Sequence, residues 1–374
     1  MPTRTCPRSP LLSAVVATAA LAPVAALALV AAVAGGDNHE IGFWGAGGVA
    51  LRAVAGPATA GGSEGGGRTY RVAVGTSERA IELPAGVEIE ELFALRQGAF
   101  VSARGPMRPG IRGASKQSDL FLAQIDSQGL HPLPVPAPSP NHLRENAVPL
   151  ASPNGDLEGL VWLEGPDRQS YVVQYAAWET LRWGEPMVVA REAPGSQLAL
   201  AAATLGDGSK LLVWSRFDGS DDEIVAAHFV EGRWSAARPL ADDNTVPDIT
   251  PSVIAVPGGA LATWSRYDGH DYRVVISRFD GRDWSPPSWA GPAGSTEPFL
   301  TPAAARAVAG ATSWLTFSGA QPPAWSVLEL DASGRVLRRG SVTNVPAARP
   351  ALESLPSGGV RLLWAAGASD VELH

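Results

Sequence analysis

Cysteine is almost missing from this chain: Cys6 is the only one among 374 residues. It precedes the first apolar run instead of following it, which excludes a disulfide framework and argues against lipid acylation. Lysine is nearly as scarce, with Lys116 and Lys210 the only two among 29 basic residues, and the formal charge is −8. Such a balance argues against nucleic acid as a partner, and the Arg, Ala and Gly bias reads as GC-rich bacterial coding. A glycine-rich phosphate loop with its lysine, a Gly-x-Ser-x-Gly elbow and histidines paired for zinc are also lacking. Asp218, Asp221 and Asp222 match no calcium loop of defined ligand order. No catalytic constellation, cofactor or metal is therefore expected, and His228 on a third strand reads as structural.

Long apolar runs are absent except for one. Arg4 and Arg8 precede an uncharged stretch of 24 residues, and Ala32-Val33-Ala34 offers a small-residue cleavage site. Residues 1–35 read as a signal peptide or, if uncleaved, an N-terminal membrane anchor, since 24 residues suffice to span a bilayer. Either form puts the body outside the cytoplasm, periplasmic or secreted. Residues 36–67 are rich in Gly and Ala and end in GGSEGGG, which reads as a flexible tether.

What the chain does have is a repeat. Trp162, Trp214, Trp264, Trp314 and Trp364 stand 52, 50, 50 and 50 residues apart, closing the runs GLVWL, LLVWS, LATWS, ATSWL and RLLWA. Trp183, Trp234 and Trp284 trail the first three by 21, 20 and 20 residues. Self-similarity at a fixed period is the signature of a solenoid or propeller. The best-formed unit, residues 250–290, reads as four short strands: 250–256, a Pro257-Gly258-Gly259 turn, 260–266, a polar loop, the run RVVISRF, an Asp280-Gly281 turn, and a strand around Trp284. Residues 68–374 thus divide into six four-stranded antiparallel blades of an all-β propeller, starting near residues 88, 146, 197, 250, 302 and 350. The sixth lacks a strand, and RTYRVAV or ERAIELP at the N-terminus is expected to complete it, leaving a closed monomer.

The unit WSRYDGHDYRVVISRFDGRDWSPP resembles the blades of bacterial sialidase-like six-bladed propellers, which carry an Asp-box, Ser-x-Asp-x-Gly-x-Thr-Trp. Ser277, Gly281 and Trp284 stand at matching offsets, but Phe279 holds the Asp position and Asp283 replaces Thr; in the preceding blade only Gly232 and Trp234 match. The resemblance implies either a non-catalytic relative or a sialidase-like exo-glycoside hydrolase with a diverged site. The family's chemistry uses three arginines on a carboxylate, a tyrosine nucleophile with its glutamate, and an acid/base aspartate. No Arg-Ile-Pro tripeptide occurs, yet Arg104, Arg216 and Arg266 occupy the end of the second strand in three blades.

Two readings of those arginines stay open. They converge on one anion, or each pairs locally, Arg216 with Asp218 or Asp222 and Arg266 with Asp268 or Asp271. The loops on that face supply the remaining ligand-binding candidates: Arg108 and Arg112 in the basic insertion that also holds Lys116, Asp218, and Tyr267, Asp268, His270 and Tyr272. The expectation is an exported binding or scaffold module whose partner is a protein or an envelope glycan.

Overall fold

The computed structural model describes residues 40–46, 49–54, 69–74 and 77–373, with gaps inside the last span, chiefly at 106–118, 190–195, 291–302, 307–312, 319–323, 345–350 and 364–370. Every strand pairing among the described residues is antiparallel, and the strands sort into seven sheets. Sheet one spans 40–82, sheet two 88–133, sheet three 143–188, sheet four 196–239, sheet five 248–289, sheet six 303–343 and sheet seven 351–373. Each is built in chain order, so every sheet is a meander of local hairpins. The first strand of each sheet lies against the first strand of the next, and that of sheet seven, Ala351–Ser354, lies against that of sheet one, Glu40–Ala46. The arrangement is propeller-like.

Two expectations are corrected here. The count is seven sheets among the described residues, not six, because Glu40–Ala46 and Val49–Val54, inside the segment read as a tether, pair with each other and then with Thr69–Val74. Gly and Ala weaken a strand intrinsically, but backbone pairing and contact with neighbouring sheets override propensity. Nor, among the described residues, does an N-terminal strand pair with the last sheet: both candidates, Thr69–Val74 and Ser77–Glu82, belong to sheet one. Thr69–Val74 is already paired on both edges, with Val49–Val54 and with Ser77–Glu82, so its donors and acceptors are taken. Sheet seven has three strands among the described residues.

Sheets three to five follow the tryptophan ruler closely. Trp162, Trp214 and Trp264 sit on the second strands Leu157–Gly165, Lys210–Phe217 and Gly259–Tyr267, fully buried, as core positions should be. Trp364 and the side chain of Trp314 lie outside the described residues. The trailing tryptophans staple neighbouring sheets: Trp234 of sheet four meets Tyr175 of sheet three edge-on at 5.5 Å, and Trp284 packs on Phe279, which His228 of sheet four also contacts. Such ring pairs add to the area they bury. The fourth strand of sheet five is Ser288–Trp289, paired with Val275 and Ile276, while Trp284 makes only an isolated bridge to Phe279. At Gly259 a side chain is impossible: φ is +152° and a Cβ would fall 1.8 Å from the Phe279 carbonyl oxygen.

Candidate functional site

In an antiparallel pair, residues directly opposite one another project to the same face, so register alone decides which side chains meet. The second strands of sheets two to five carry Arg104, Glu164, Arg216 and Arg266 one residue before their ends, and their partners on the first strands are Glu88, Arg144, Gln197 and Asp248. Three of the four positions oppose a guanidinium to a carboxylate. The fourth opposes Arg216 to a neutral amide.

Arg104 lies 3.4 Å from Glu88 and 3.1 Å from Glu90. Arg266 holds Asp248 in a fork, Nε to Oδ1 at 2.8 Å and Nη2 to Oδ2 at 2.5 Å, and the paired carboxylate raises its pKa. In sheet three the two members turn to neighbours instead. Arg144, fully buried, donates to Asp119 of sheet two at 2.7 Å and to the Pro136 carbonyl at 2.6 Å. Glu164 accepts from Trp162 Nε1 and from the Ser139 amide, both at 2.8 Å. The carboxylates are not those the hairpin spacing pointed to: Asp268 stands 3.6 Å from Arg273, and Arg216 reaches neither Asp218 nor Asp222. Asp271 lies outside the described residues.

Just below this row each first strand carries an irregularity of register, at Glu90, between Glu145 and Val148, between Leu198 and Ala201, and between Ile249 and Ser252. Asn146, Ala199 and Thr250 there have φ of +54°, +49° and +52°, a left-handed conformation costly for alanine and more so for a β-branched threonine. Asn146 binds sheet three to sheet four through its Oδ1, which accepts from the Leu200 amide at 2.6 Å. Around the bulge of sheet two stand Glu90, Arg104, Glu145 and Arg168, the last bonded to Glu145 at 2.9 Å. Burial, outweighing Arg104, raises the Glu90 carboxyl to about 7. Burial, helped by the Glu145 charge, pushes the Tyr171 phenol well above the usual tyrosine range.

The loop candidates divide. Tyr267 and Tyr272 are cross-strand partners whose rings stand 5.5 Å apart, and Arg273, next to Tyr272, stacks at 4.4 Å over Trp289. His270 is exposed, and its amide donates to the Asp268 carboxylate at 3.0 Å. Asp218 likewise accepts from the Ser220 amide within its own turn. Arg108, Arg112 and Lys116 lie outside the described residues. Glu90, Glu145, Arg168, Tyr171, Arg273 and Trp289 were not singled out from sequence. The charged runs EIEE and LREN at the same place in two repeats were the available signal, but without register they read as solvated strand ends.

His228 meets the Ser209 hydroxyl at 2.9 Å, and burial lowers its pKa. Among the described residues no group of three or more His, Cys, Asp or Glu side chains is placed to hold a metal ion. No helix among them is long and apolar enough to cross a membrane.

No family model matches the chain, and no curated protein matches it by sequence. Solved structures do match in fold. A polysaccharide lyase of family PL25, an ulvan lyase, superposes with a TM-score of 0.54 at 10% identity, over 90% of this chain and 94% of the other. A prolyl endopeptidase superposes with a TM-score of 0.51 at 15% identity over 87% of this chain, which spans only 45% of that enzyme's length. These neighbours are β-propeller-like, and at such identities the likeness establishes the fold alone.

Proposed function

We propose that this chain is an exported, non-catalytic binding module that holds an envelope glycan on the face where the second strands of its sheets end. The observation that carries the reading is the pairing of Arg104 and Arg266 with carboxylates of their own sheets. A sialidase-like site needs several unpaired guanidinia aimed at one carboxylate, and two of the three candidates are already neutralised. It also needs an activated tyrosine. Tyr171, the phenol beside a glutamate, is instead held in its neutral form by burial. Rows of paired charges offer donors and acceptors together, which suits hydroxyl-rich ligands, and Tyr267, Tyr272 and Trp289 supply flat apolar surface for a sugar ring.

Export rests on residues 1–35, whose basic start and apolar run read as a signal peptide or anchor. The module needs no cofactor in this reading and acts as a monomer. Titration of the full chain against a panel of envelope oligosaccharides tests it, with Tyr267→Ala and Tyr272→Ala expected to weaken binding by roughly tenfold each, the usual scale for losing an aromatic stacking partner. Turnover of a fluorogenic sialoside, abolished by Arg216→Ala, would instead establish a hydrolase.

A further inference from the structure

The four-sheet charge row is broken at one place, and the break is electrostatic. Glu88 opposes Arg104, Arg144 opposes Glu164 and Asp248 opposes Arg266, but Gln197 opposes Arg216. The Gln197 amide is itself occupied, its Oε1 accepting from Trp214 Nε1 at 2.5 Å. On the other side Arg216 faces Glu223, whose Oε1 is turned to the connection between sheets four and five, where it accepts from the Asn244 amide at 3.2 Å and from its side chain at 3.1 Å. The same carboxylate acts on Arg266 across the sheet boundary. Asp218 is folded into its own turn. Among the described residues Arg216 therefore makes no hydrogen bond or ion pair, and its Nε is buried without a partner. A buried guanidinium nitrogen with nothing to donate to is costly unless a ligand supplies the acceptor.

Resting on the reading of this face as a glycan site, we infer that Arg216 is its anion-recognition point and that the ligand is an acidic polysaccharide whose carboxylate or sulfate takes the place that Glu88 and Asp248 fill for Arg104 and Arg266. The guanidinium fork suits either group bidentately. Selectivity for charged over neutral sugars then comes from one position, because the equivalent arginines are satisfied internally.

The test is calorimetric titration of the full chain with oligogalacturonate, with a sulfated galactan oligosaccharide, and with the carboxyl-reduced form of the first. Wild type is expected to prefer at least one charged ligand over the neutral one by roughly 10- to 100-fold, the worth of a charge-assisted hydrogen bond. Which charged ligand wins identifies the group. Arg216→Ala removes the preference, Arg216→Lys keeps part of it, and Arg282→Ala, a charge loss on an exposed turn, leaves it intact. Gln197→Glu is the sharper variant: it restores the carboxylate opposite Arg216, still accepts from Trp214, and is expected to abolish the preference from within. Equal affinity for charged and neutral oligosaccharides, or a preference that survives Arg216→Ala, overturns this inference while leaving glycan binding standing. Binding of none of the three by wild type overturns both.

Discussion

At the scale of the residue, the informative positions are those where a repeated role is filled differently. Trp162 and Trp214 both donate from Nε1, one to Glu164 of its own strand and the other to Gln197 across the pair, while Trp264 Nε1 is buried and finds no acceptor among the described residues. The ruler of tryptophans was legible because a period survives any substitution around it. The partners of each indole and guanidinium were not, because they depend on register, which a bulge shifts by a residue. Glu90 shows the consequence. It is the extra residue of its strand, which places it in the cluster with Arg104, Glu145 and Arg168, and burial raises its pKa from 4.5 to about 7. An acid whose pKa is higher folded than unfolded binds its proton more tightly in the native state. Glu90 thus carries no penalty below about pH 4.5; the penalty accumulates as the pH rises from about 4.5 to about 7 and is fully present above that. Glu90→Gln is expected to gain stability relative to wild type between pH 5 and pH 8, read as the difference in urea midpoint at the two values. A loss that grows with pH would show that the Arg104 pair outweighs burial.

At the scale of the element, local turn chemistry explains most of what was read correctly and one feature that was not. Asp280-Gly281 was expected to turn through positive φ, and Gly281 has φ of +101°. The corresponding hairpin of sheet four closes with Glu231 at +51° and Gly232 at +79°. Sheet three breaks the pattern. Its hairpin pairs Glu179 with Arg182, and the two residues between, Thr180 and Leu181, have φ of +48° and +63°. That is a type I′ turn made of a β-branched and a bulky residue, each strained in the left-handed region. Leu181 is 81% exposed, so no packing repays the strain. Replacing Thr180-Leu181 by Asn-Gly is expected to stabilise the protein by about 1 kcal/mol or more, with the thermal midpoint as the measurement. An unchanged midpoint would mean that the left-handed backbone at Thr180 and Leu181 carries no such cost.

At the scale of the whole molecule, the difference between six sheets and seven follows from how each was recognised. Sheets two to six announce themselves by a tryptophan or an apolar run on the second strand. Sheet one does not: its tryptophan, Trp44, lies on the first strand, and Gly45, Gly47 and Gly48 dominate the hairpin around it. Composition therefore described a tether where backbone pairing builds a sheet. The distinction is mechanical. The strand Glu40–Ala46 lies against the first strands of both sheet two, Glu88–Ala94, and sheet seven, Ala351–Ser354, so it links the first and last of the described sheets. Were residues 40–54 a tether, their deletion would leave the body unaffected. As a hairpin of sheet one, they cover an edge of Thr69–Val74, and removing them exposes a row of unpaired amides and carbonyls and separates the two sheets that Glu40–Ala46 joins. Deletion of 40–54 is expected to lower the thermal midpoint and to drive concentration-dependent aggregation, read by calorimetry and size-exclusion chromatography. A deleted protein that melts and elutes as the full chain does would return residues 40–54 to the role of a linker.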